Sequence, residues 1–370
     1  MFKKLLFPGK YIQGPGALSE LPSQIARFGR RGLILASPTP HRNILQHQVL
    51  QADASPLPAE RFQGECCEQE LSRLARVIQD REVDVLVGMG GGKTIDTAKI
   101  AADRAGIPVL VVPTIASTDA PCSGCAVVYS EHGEFEAVHY QRSNPAAVLV
   151  DTQVIAGAPV RFLVSGMGDA LATWFEARSC SQTQSPNECG GLSTLTGLRL
   201  ARLCYDTLLQ YGSAAKISAE RHLVTPALEH IVEANTLLSG IGFESGGLAS
   251  AHAIHNGLTA LPETHAYYHG EKVAFGVLAG LQLIDASPEE ADIVYSFCEQ
   301  IGLPTTLGDL GLGGVERDRL KLVAEKACAP GSSIHHEAGQ MTPERVLRAM
   351  LGADAVGKHR RERNGRGHAQ

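Results

Sequence analysis

Over about the first 150 residues, short apolar runs alternate with segments of helical spacing. Gly32 to Ala36 (GLILA), Val83 to Val87 (VDVLV) and Pro108 to Val112 (PVLVV) are strand-length apolar runs, as expected of parallel strands buried on both faces. Gln69 to Arg81 and Thr94 to Ala105 carry the helical spacing that separates such strands. Cys125 to Tyr129 (CAVVY) and Phe135 to Tyr140 (FEAVHY) flank a turn-like Glu131-His132-Gly133, and the pair predicts a β-hairpin. Ala147 to Val150 predicts one more strand. The order strand, helix, strand, helix, strand predicts an α/β fold with a doubly wound parallel sheet.

From about Pro159 the period changes. Helical spacing runs through Gly168 to Ser179, Leu192 to Leu209, Pro226 to Leu238, Gly247 to Leu258, Lys272 to Ala286, Arg317 to Ala327 and Pro343 to Leu351. Thr225-Pro226 and Thr342-Pro343 have the cap-then-proline form of a helix start. This predicts an α/β domain at 1–160 and an all-helical C-terminal domain at 161–370.

Composition narrows the class. The chain has 370 residues, 44% hydrophobic and 19% charged, with a formal net charge of −6. That is the make-up of a globular protein, with no long basic run to suggest nucleic acid. The densest basic stretch, His359 to Arg366, reads as a solvated tail. No apolar run is long enough for a membrane helix, and the N-terminus lacks the continuous apolar stretch of a signal peptide. Nine scattered cysteines, with Cys122 and Cys125 the only C-x-x-C pair, fit a reduced cytoplasmic compartment better than a disulfide framework.

Three places carry candidate chemistry. Gly88-Met-Gly90-Gly91-Gly92-Lys93-Thr94 follows a strand and opens a helix, where backbone N–H groups and the helix dipole favour a phosphate. It misses the P-loop pattern at Val87 and the dinucleotide G-x-G-x-x-G pattern at Lys93, so a ligand-free tight turn explains it as well. The loop 113–123 follows a parallel strand and offers Thr114, Ser117, Thr118 and Ser123 with one carboxylate, Asp119. Asp169 reads as the opening residue of a helix. His252 and His255 lie three residues apart on one helix face, and His269 lies near the start of the next helix. Converging, Asp169, His252 and His269 would give one oxygen and two nitrogen ligands, which suit Zn²⁺ with an open fourth position and also Fe²⁺. An N-cap aspartate and packed histidines are the alternative.

In order along the chain stand Gly-Lys-Tyr-Ile-Gln-Gly (9–14), Gly-Gly-Gly-Lys-Thr-Ile-Asp-Thr-Ala-Lys (90–99) and Pro-Thr-Ile-Ala-Ser-Thr-Asp-Ala-Pro-Cys-Ser (113–123). Gly-Met-Gly-Asp-Ala-Leu-Ala-Thr-Trp-Phe-Glu-Ala (166–177), Gly-Phe-Glu-Ser-Gly-Gly-Leu (242–248), Ala-His-Ala-Ile-His-Asn-Gly-Leu-Thr (251–259) and His-Gly-Glu-Lys-Val-Ala-Phe-Gly (269–276) follow. Through these segments the chain resembles the glycerol dehydrogenase branch of the iron-containing (group III) alcohol dehydrogenase family. The last quarter of the chain adds little to the likeness.

The resemblance implies an N-terminal Rossmann-like domain, a helical C-terminal domain and a site in the cleft. It implies zinc on Asp169, His252 and His269, and cofactor pyrophosphate at Gly91, Gly92 and Lys93. Further cofactor contacts would come from Thr114, Ser117, Ser123, Cys125 and Tyr129, and Asp119 would lie beside the substrate. The implied reaction is reversible oxidation of glycerol, or another vicinal diol, to dihydroxyacetone or its analogue, with NAD as hydride acceptor. Homo-oligomers are also implied. His255 has no ligand role in this reading and is expected to help carry the released proton. The branch commonly has an acidic residue at the end of the first sheet strand, where this chain has Ser37, followed by His41 and Arg42. Loss of that carboxylate removes repulsion toward a 2′-phosphate, so NADP use is expected beside NAD. Competing readings are a polyol-phosphate dehydrogenase, a dehydroquinate-synthase-like lyase, and a nucleotide-binding module without redox chemistry.

Overall fold

The computed structural model describes residues 1–45, 51–52, 55–131 and 133–367. In chain order the strands are β1 (Tyr11–Gly14), β2 (Gly32–Ala36), β3 (Gln51–Ala52), β4 (Ser55–Pro56), β5 (Ala59–Arg61), β6 (Val85–Gly90), β7 (Val109–Pro113), β8 (Cys125–Tyr129), β9 (Phe135–Tyr140) and β10 (Ala147–Asp151). The helices are α1 (Leu21–Phe28), α2 (Pro38–Asn43), α3 (Glu68–Asp80), α4 (Gly92–Ala105), α5 (Thr152–Ala156), α6 (Val160–Thr183), α7 (Leu195–Glu220) and α8 (Pro226–Glu233). After them come α9 (Ser239–Gly246), α10 (Ser250–Leu258), α11 (His269–Leu283), α12 (Pro288–Ile301), α13 (Arg317–Ala327) and α14 (Pro343–Gly367). The chain forms two compact units, Leu6–Leu163 with Ile217–Ile241, and Met1–Leu5 with Val164–Lys216 and Gly242–Gln370.

The first unit is built on a six-stranded parallel sheet in the order β1-β10-β7-β6-β2-β5. β6, β7 and β10 are buried along their whole length, which is why they read as unbroken apolar runs. Ile34, Val85, Val87, Met89, Leu110, Val112 and Leu149 pack with Leu18, Leu21 and Ile25 into one core. Each such side chain contributes about 1.5–3 kcal/mol of burial free energy. From β2 the chain moves outward to β5, then returns to β6 and continues the other way through β7 and β10. The order therefore reverses between β2 and β6, and the ends of those two strands are where an open α/β sheet offers its ligand crevice.

The predicted elements of this unit are present with shifted ends. The strand expected at 83–87 lies at Val85–Gly90, because Asp84 is used by the turn before β2, accepting from the Arg30 and Arg31 amides. β8 and β9 pair as the predicted antiparallel hairpin, with Cys125 opposite Tyr140. Of its turn, His132 lies outside the described residues. A π-helical turn at Ala234–Leu238 follows α8, within the helix expected at 226–238. Its Asn235 donates to the carbonyls of Ala116 (3.0 Å) and Leu163 (3.2 Å), so this late segment supports the hydroxyl-rich loop.

The second unit is helical. α10 packs on α11 and α13, and α11 packs on α12 and α14. The Thr342 hydroxyl caps α14 by accepting from the Arg345 amide, as Thr225 of the first unit caps α8 by accepting from the Leu228 amide. Two readings need correction. Asp169 does not open a helix; α6 begins at Val160 and Asp169 lies in its third turn, so it is not an N-cap. The basic stretch from His359 is not a free tail but the end of α14, where Arg360 pairs with Glu299 of α12 at 2.7 Å and Arg361 pairs with Asp309. Among the described residues, no helix is long and apolar enough to cross a membrane.

Candidate metal centre

Gly168 of α6 and Gly270 of α11 explain how Asp169 meets His269. A Cβ on Gly168 would lie 2.4 Å from the Gly270 carbonyl oxygen, and a Cβ on Gly270 would lie 1.8 Å from the Ser165 carbonyl oxygen. Only glycine at both positions lets the two backbones approach this closely. The residue after Gly168, Asp169, and the residue before Gly270, His269, are then brought to the crossing.

His269 Nε2 lies 3.0 Å and His252 Nε2 3.4 Å from Asp169 Oδ1. One ligand atom from each of the three residues lies within 4.8 Å of the others. Exposure grades across the group: the Asp169 side chain is 0% exposed, His252 11% and His269 33%. The centre is thus anchored in the interior and approachable on the His269 side. Burial works against the charge on Asp169, yet the two imidazoles outweigh it and hold its carboxyl well below the usual range. Burial likewise opposes the His252 imidazolium, but Glu176 and Asp169 together raise its pKa well above the ordinary value.

The far nitrogen of each histidine is also engaged. Glu176, two helical turns beyond Asp169 on α6, places Oε2 2.6 Å from His252 Nδ1. A carboxylate can only accept here, so Nδ1 carries the hydrogen, and in the neutral ring Nε2 is the nitrogen left to act as a ligand. His255 Nε2 lies 3.0 Å from His269 Nδ1, and His255 Nδ1 lies 3.0 Å from Asn256 Oδ1. If His269 donates through Nδ1, His255 accepts and passes its own N–H to Asn256, a chain that needs neutral His255. Burial, then the neighbouring His269, Lys272 and His252, push the His255 pKa well below the usual value, in keeping with that state. The donor set of one carboxylate and two oriented imidazoles therefore fits a divalent metal. Glu176 was absent from the sequence reading; its seven-residue spacing from Asp169 on one helix face was the available signal.

In the sheet unit, Ser37 follows β2 and the glycine turn follows β6. Ser37 donates its amide to the Met89 carbonyl (3.0 Å), and its hydroxyl lies 3.0 Å from Thr94 Oγ1. Gly91 is the N-cap of α4, and Gly92 and Lys93 are its first residues. Thr114 donates its amide to the Gly90 carbonyl, which ties the hydroxyl loop to this turn. Asp119 Oδ2 accepts from the Ser239 hydroxyl at 2.9 Å. Lys93 Nζ lies 5.3 Å from the Tyr129 ring centroid and pairs with Glu65. The fully buried Lys99 donates to the Ala120 carbonyl (2.9 Å) and the Cys125 carbonyl and faces Ser123 Oγ at 3.4 Å, so Ser123 is enclosed with it. All nine cysteines are free thiols. A phosphorylated substrate would need several basic side chains near these ligands; Arg178 is paired with Glu290 at 2.7 Å and Lys272 is buried.

A family model described as iron-containing alcohol dehydrogenase matches residues 8–152. The glycerol dehydrogenase of Thermotoga maritima is 52% identical over 362 residues, covering 98% of this chain and 99% of the relative. The glycerol dehydrogenase of Pseudomonas putida is 48% identical over 365 residues, covering 97% and 99%. Among solved structures, a probable glycerol dehydrogenase from Sinorhizobium meliloti superposes with a TM-score of 0.92 at 44% identity, covering 96% of this chain and 99% of that one. The glycerol dehydrogenase of Schizosaccharomyces pombe gives 0.91 at 36% identity, covering 98% and 93%. Identity of this extent, along nearly the whole length, means that the chain belongs to the iron-containing alcohol dehydrogenase family.

Proposed function

We propose that this protein is a metal-dependent polyol dehydrogenase that oxidises glycerol, or a related vicinal diol, to dihydroxyacetone or its analogue, with hydride transfer to a nicotinamide cofactor. The observation that carries the reading is the convergence of Asp169, His252 and His269, each histidine with its far nitrogen engaged. The proposed metal is Zn²⁺, with Fe²⁺ compatible with the same donors. When bound, it supplies a Lewis acid that polarises the substrate hydroxyl and eases loss of its proton. The nicotinamide supplies the acceptor for the hydride leaving carbon.

The chain's own residues do the rest. Glu176 and His255 hold the two imidazoles in the tautomers that leave Nε2 free. His255 is also proposed to pass on the released proton; an unchanged pH–rate profile in His255→Ala removes that second role. Asp119, fixed by Ser239, is proposed to orient a substrate hydroxyl. Gly91, Gly92 and Lys93 are proposed to bind the cofactor pyrophosphate at the start of α4, with Thr114, Ser117, Ser123, Cys125 and Tyr129 completing the cofactor site. Ser37 stands beside that turn without a carboxylate, and exposed Arg42 follows on α2, so NADP is proposed as a second acceptor beside NAD. Self-association into a homo-oligomer and a cytoplasmic location are proposed on the family likeness and the free thiols.

The test is a screen of glycerol, propanediol and butanediol with NAD and with NADP, with bound zinc measured in the same sample. Reduced cofactor that disappears on chelation and returns with zinc is expected. Protein that binds nucleotide, holds no metal and reduces no cofactor with any diol would overturn the proposal.

A further inference from the structure

The start of α10, which bears His252 and His255, has no cap of its own. Its N-cap is Ala249, and no side chain at that position accepts from the first turn. Those N–H groups need partners when buried, and here two glutamates from distant segments supply them. Glu176 Oε1 accepts from the Ala249 amide (2.9 Å) and the His252 amide (2.9 Å). Glu337 Oε1 accepts from the Ser250 amide (3.2 Å) and the Ser250 hydroxyl (2.5 Å). Both carboxylates are buried. Glu337 Oε2 accepts in turn from the Ser179 hydroxyl at 2.6 Å, one turn beyond Glu176 on α6.

Glu337 does not act alone. The segment Ser332–Glu337 lies along the approach to α10: Ser333 donates to the Ala249 carbonyl (2.8 Å), and His336 Nδ1 donates to the Leu248 carbonyl (2.7 Å). Thr183 of α6 donates to the His336 carbonyl at 2.9 Å. Six hydrogen bonds thus bind this segment to α6 and to the start of α10.

We infer that Glu176 and the segment Ser332–Glu337 form a latch that sets the metal affinity of the centre by fixing the first turn of α10. Glu176 is the positioning residue that joins the two tasks. One oxygen caps the helix and the other fixes the His252 tautomer, so a shift in the helix start is a shift in the ligand. Glu337 is a positioning residue one step further out, acting through Ser250. The inference rests on the metal reading above and extends it to a part of the chain that carries none of the family-like segments. Carboxylates at a helix N-terminus are also favoured by the helix dipole, so the latch is electrostatically matched to its place.

The test measures zinc affinity by competition with a chromophoric chelator, together with amide hydrogen exchange of residues 249–252 in the metal-free protein. Glu176→Gln keeps size and keeps an oxygen for the helix cap, but presents an amide N–H₂ to the His252 N–H. Zinc affinity is expected to fall by about 10–100-fold, the range typical of lost outer partners of metal ligands, with the fold retained. Glu337→Ala is expected to speed exchange at 249–252 and to lower zinc affinity by about tenfold, and Glu337→Gln, which restores an acceptor for Ser250, is expected to recover most of it. Ser250→Ala, which removes one contact and leaves packing nearly intact, gives the same direction at smaller size should Glu337→Ala not fold. Wild-type affinity and exchange in folded Glu176→Gln and Glu337→Ala would overturn the latch alone. Failure of the wild-type protein to bind zinc would overturn the metal reading and the latch with it.

Discussion

One added methyl group should pull the proposed metal centre apart. In Gly168→Ala the new Cβ would stand 2.4 Å from the Gly270 carbonyl oxygen and 2.9 Å from Leu303 Cδ2, against about 3.4 Å for an ordinary contact. Leu303 can rotate, but the backbone oxygen cannot, so α6 and the start of α11 must part by about 1 Å. Asp169 and His269 are the next residues toward the site on those two helices, and their 3.0 Å separation has to open with them. Overpacking of this kind costs about 1–3 kcal/mol, or roughly 2–8 °C in Tm for a body of this size. Displacement of a catalytic group by about 1 Å can lower kcat by about 100-fold, far more than the stability change implies. The assay is Tm by calorimetry, zinc affinity, and kcat for glycerol oxidation at saturating zinc. A variant that keeps the wild-type Tm and zinc affinity would refute the claim that glycine is needed at this crossing. A variant that loses stability but keeps zinc affinity and kcat would refute the link between the crossing and the ligands.

Three further outcomes are expected. Lys99→Met should destabilise the protein by about 3–5 kcal/mol, because it leaves Asp96 and two carbonyls in a buried site without the ammonium, and should weaken cofactor binding through the 114–125 loop; an unchanged Tm would exclude this. Ser37→Asp should cut kcat/KM with NADP by at least about tenfold relative to NAD, and a wild-type protein already strongly selective for NAD would sink the reasoning. Burial, and then nearby Glu176 against the Ser179 and Ser250 hydrogen bonds, raises the Glu337 pKa above its ordinary 4.5. Stability from its protonated form is present below that value and is lost as pH rises through the raised one, so Glu337→Gln should gain on the wild type as pH climbs above about 4.5 in denaturant melts; a constant difference would disprove it.

What the sequence made legible follows from what each residue interacts with. β6 and β7 were readable because burial on both faces leaves no polar position, and the helix caps at Thr225 and Thr342 because capping is a contact within one turn. α12 went unread although Ser287-Pro288 has the same cap form, and the Ser287 hydroxyl accepts from the Glu290 amide at 3.2 Å. The misreading at Asp169 is more instructive. Gly166 and Gly168 look like a break before a helix, since glycine is a poor helix former, yet both lie inside α6. Gly168 is needed there for a partner over a hundred residues away, and local propensity carries no trace of that partner.

The same distance separates the proposed ligands from their supports. Asp169, His252 and His269 sit in family-like segments, so resemblance could single them out before any contact was known. Glu176 lies in such a segment too, but its task appears only when α10 is laid against α6. Glu337 lies in the quarter of the chain with no such segments, and nothing in Ser-Ser-Ile-His-His-Glu points to a helix start more than eighty residues earlier. A metal ligand must be one of a few residue types, which makes it recognisable. A support needs only an acceptor at the right place, which many sequences can supply, so its identity is set by the packing of α6, α10 and the 332–337 segment and has to be read from the structure.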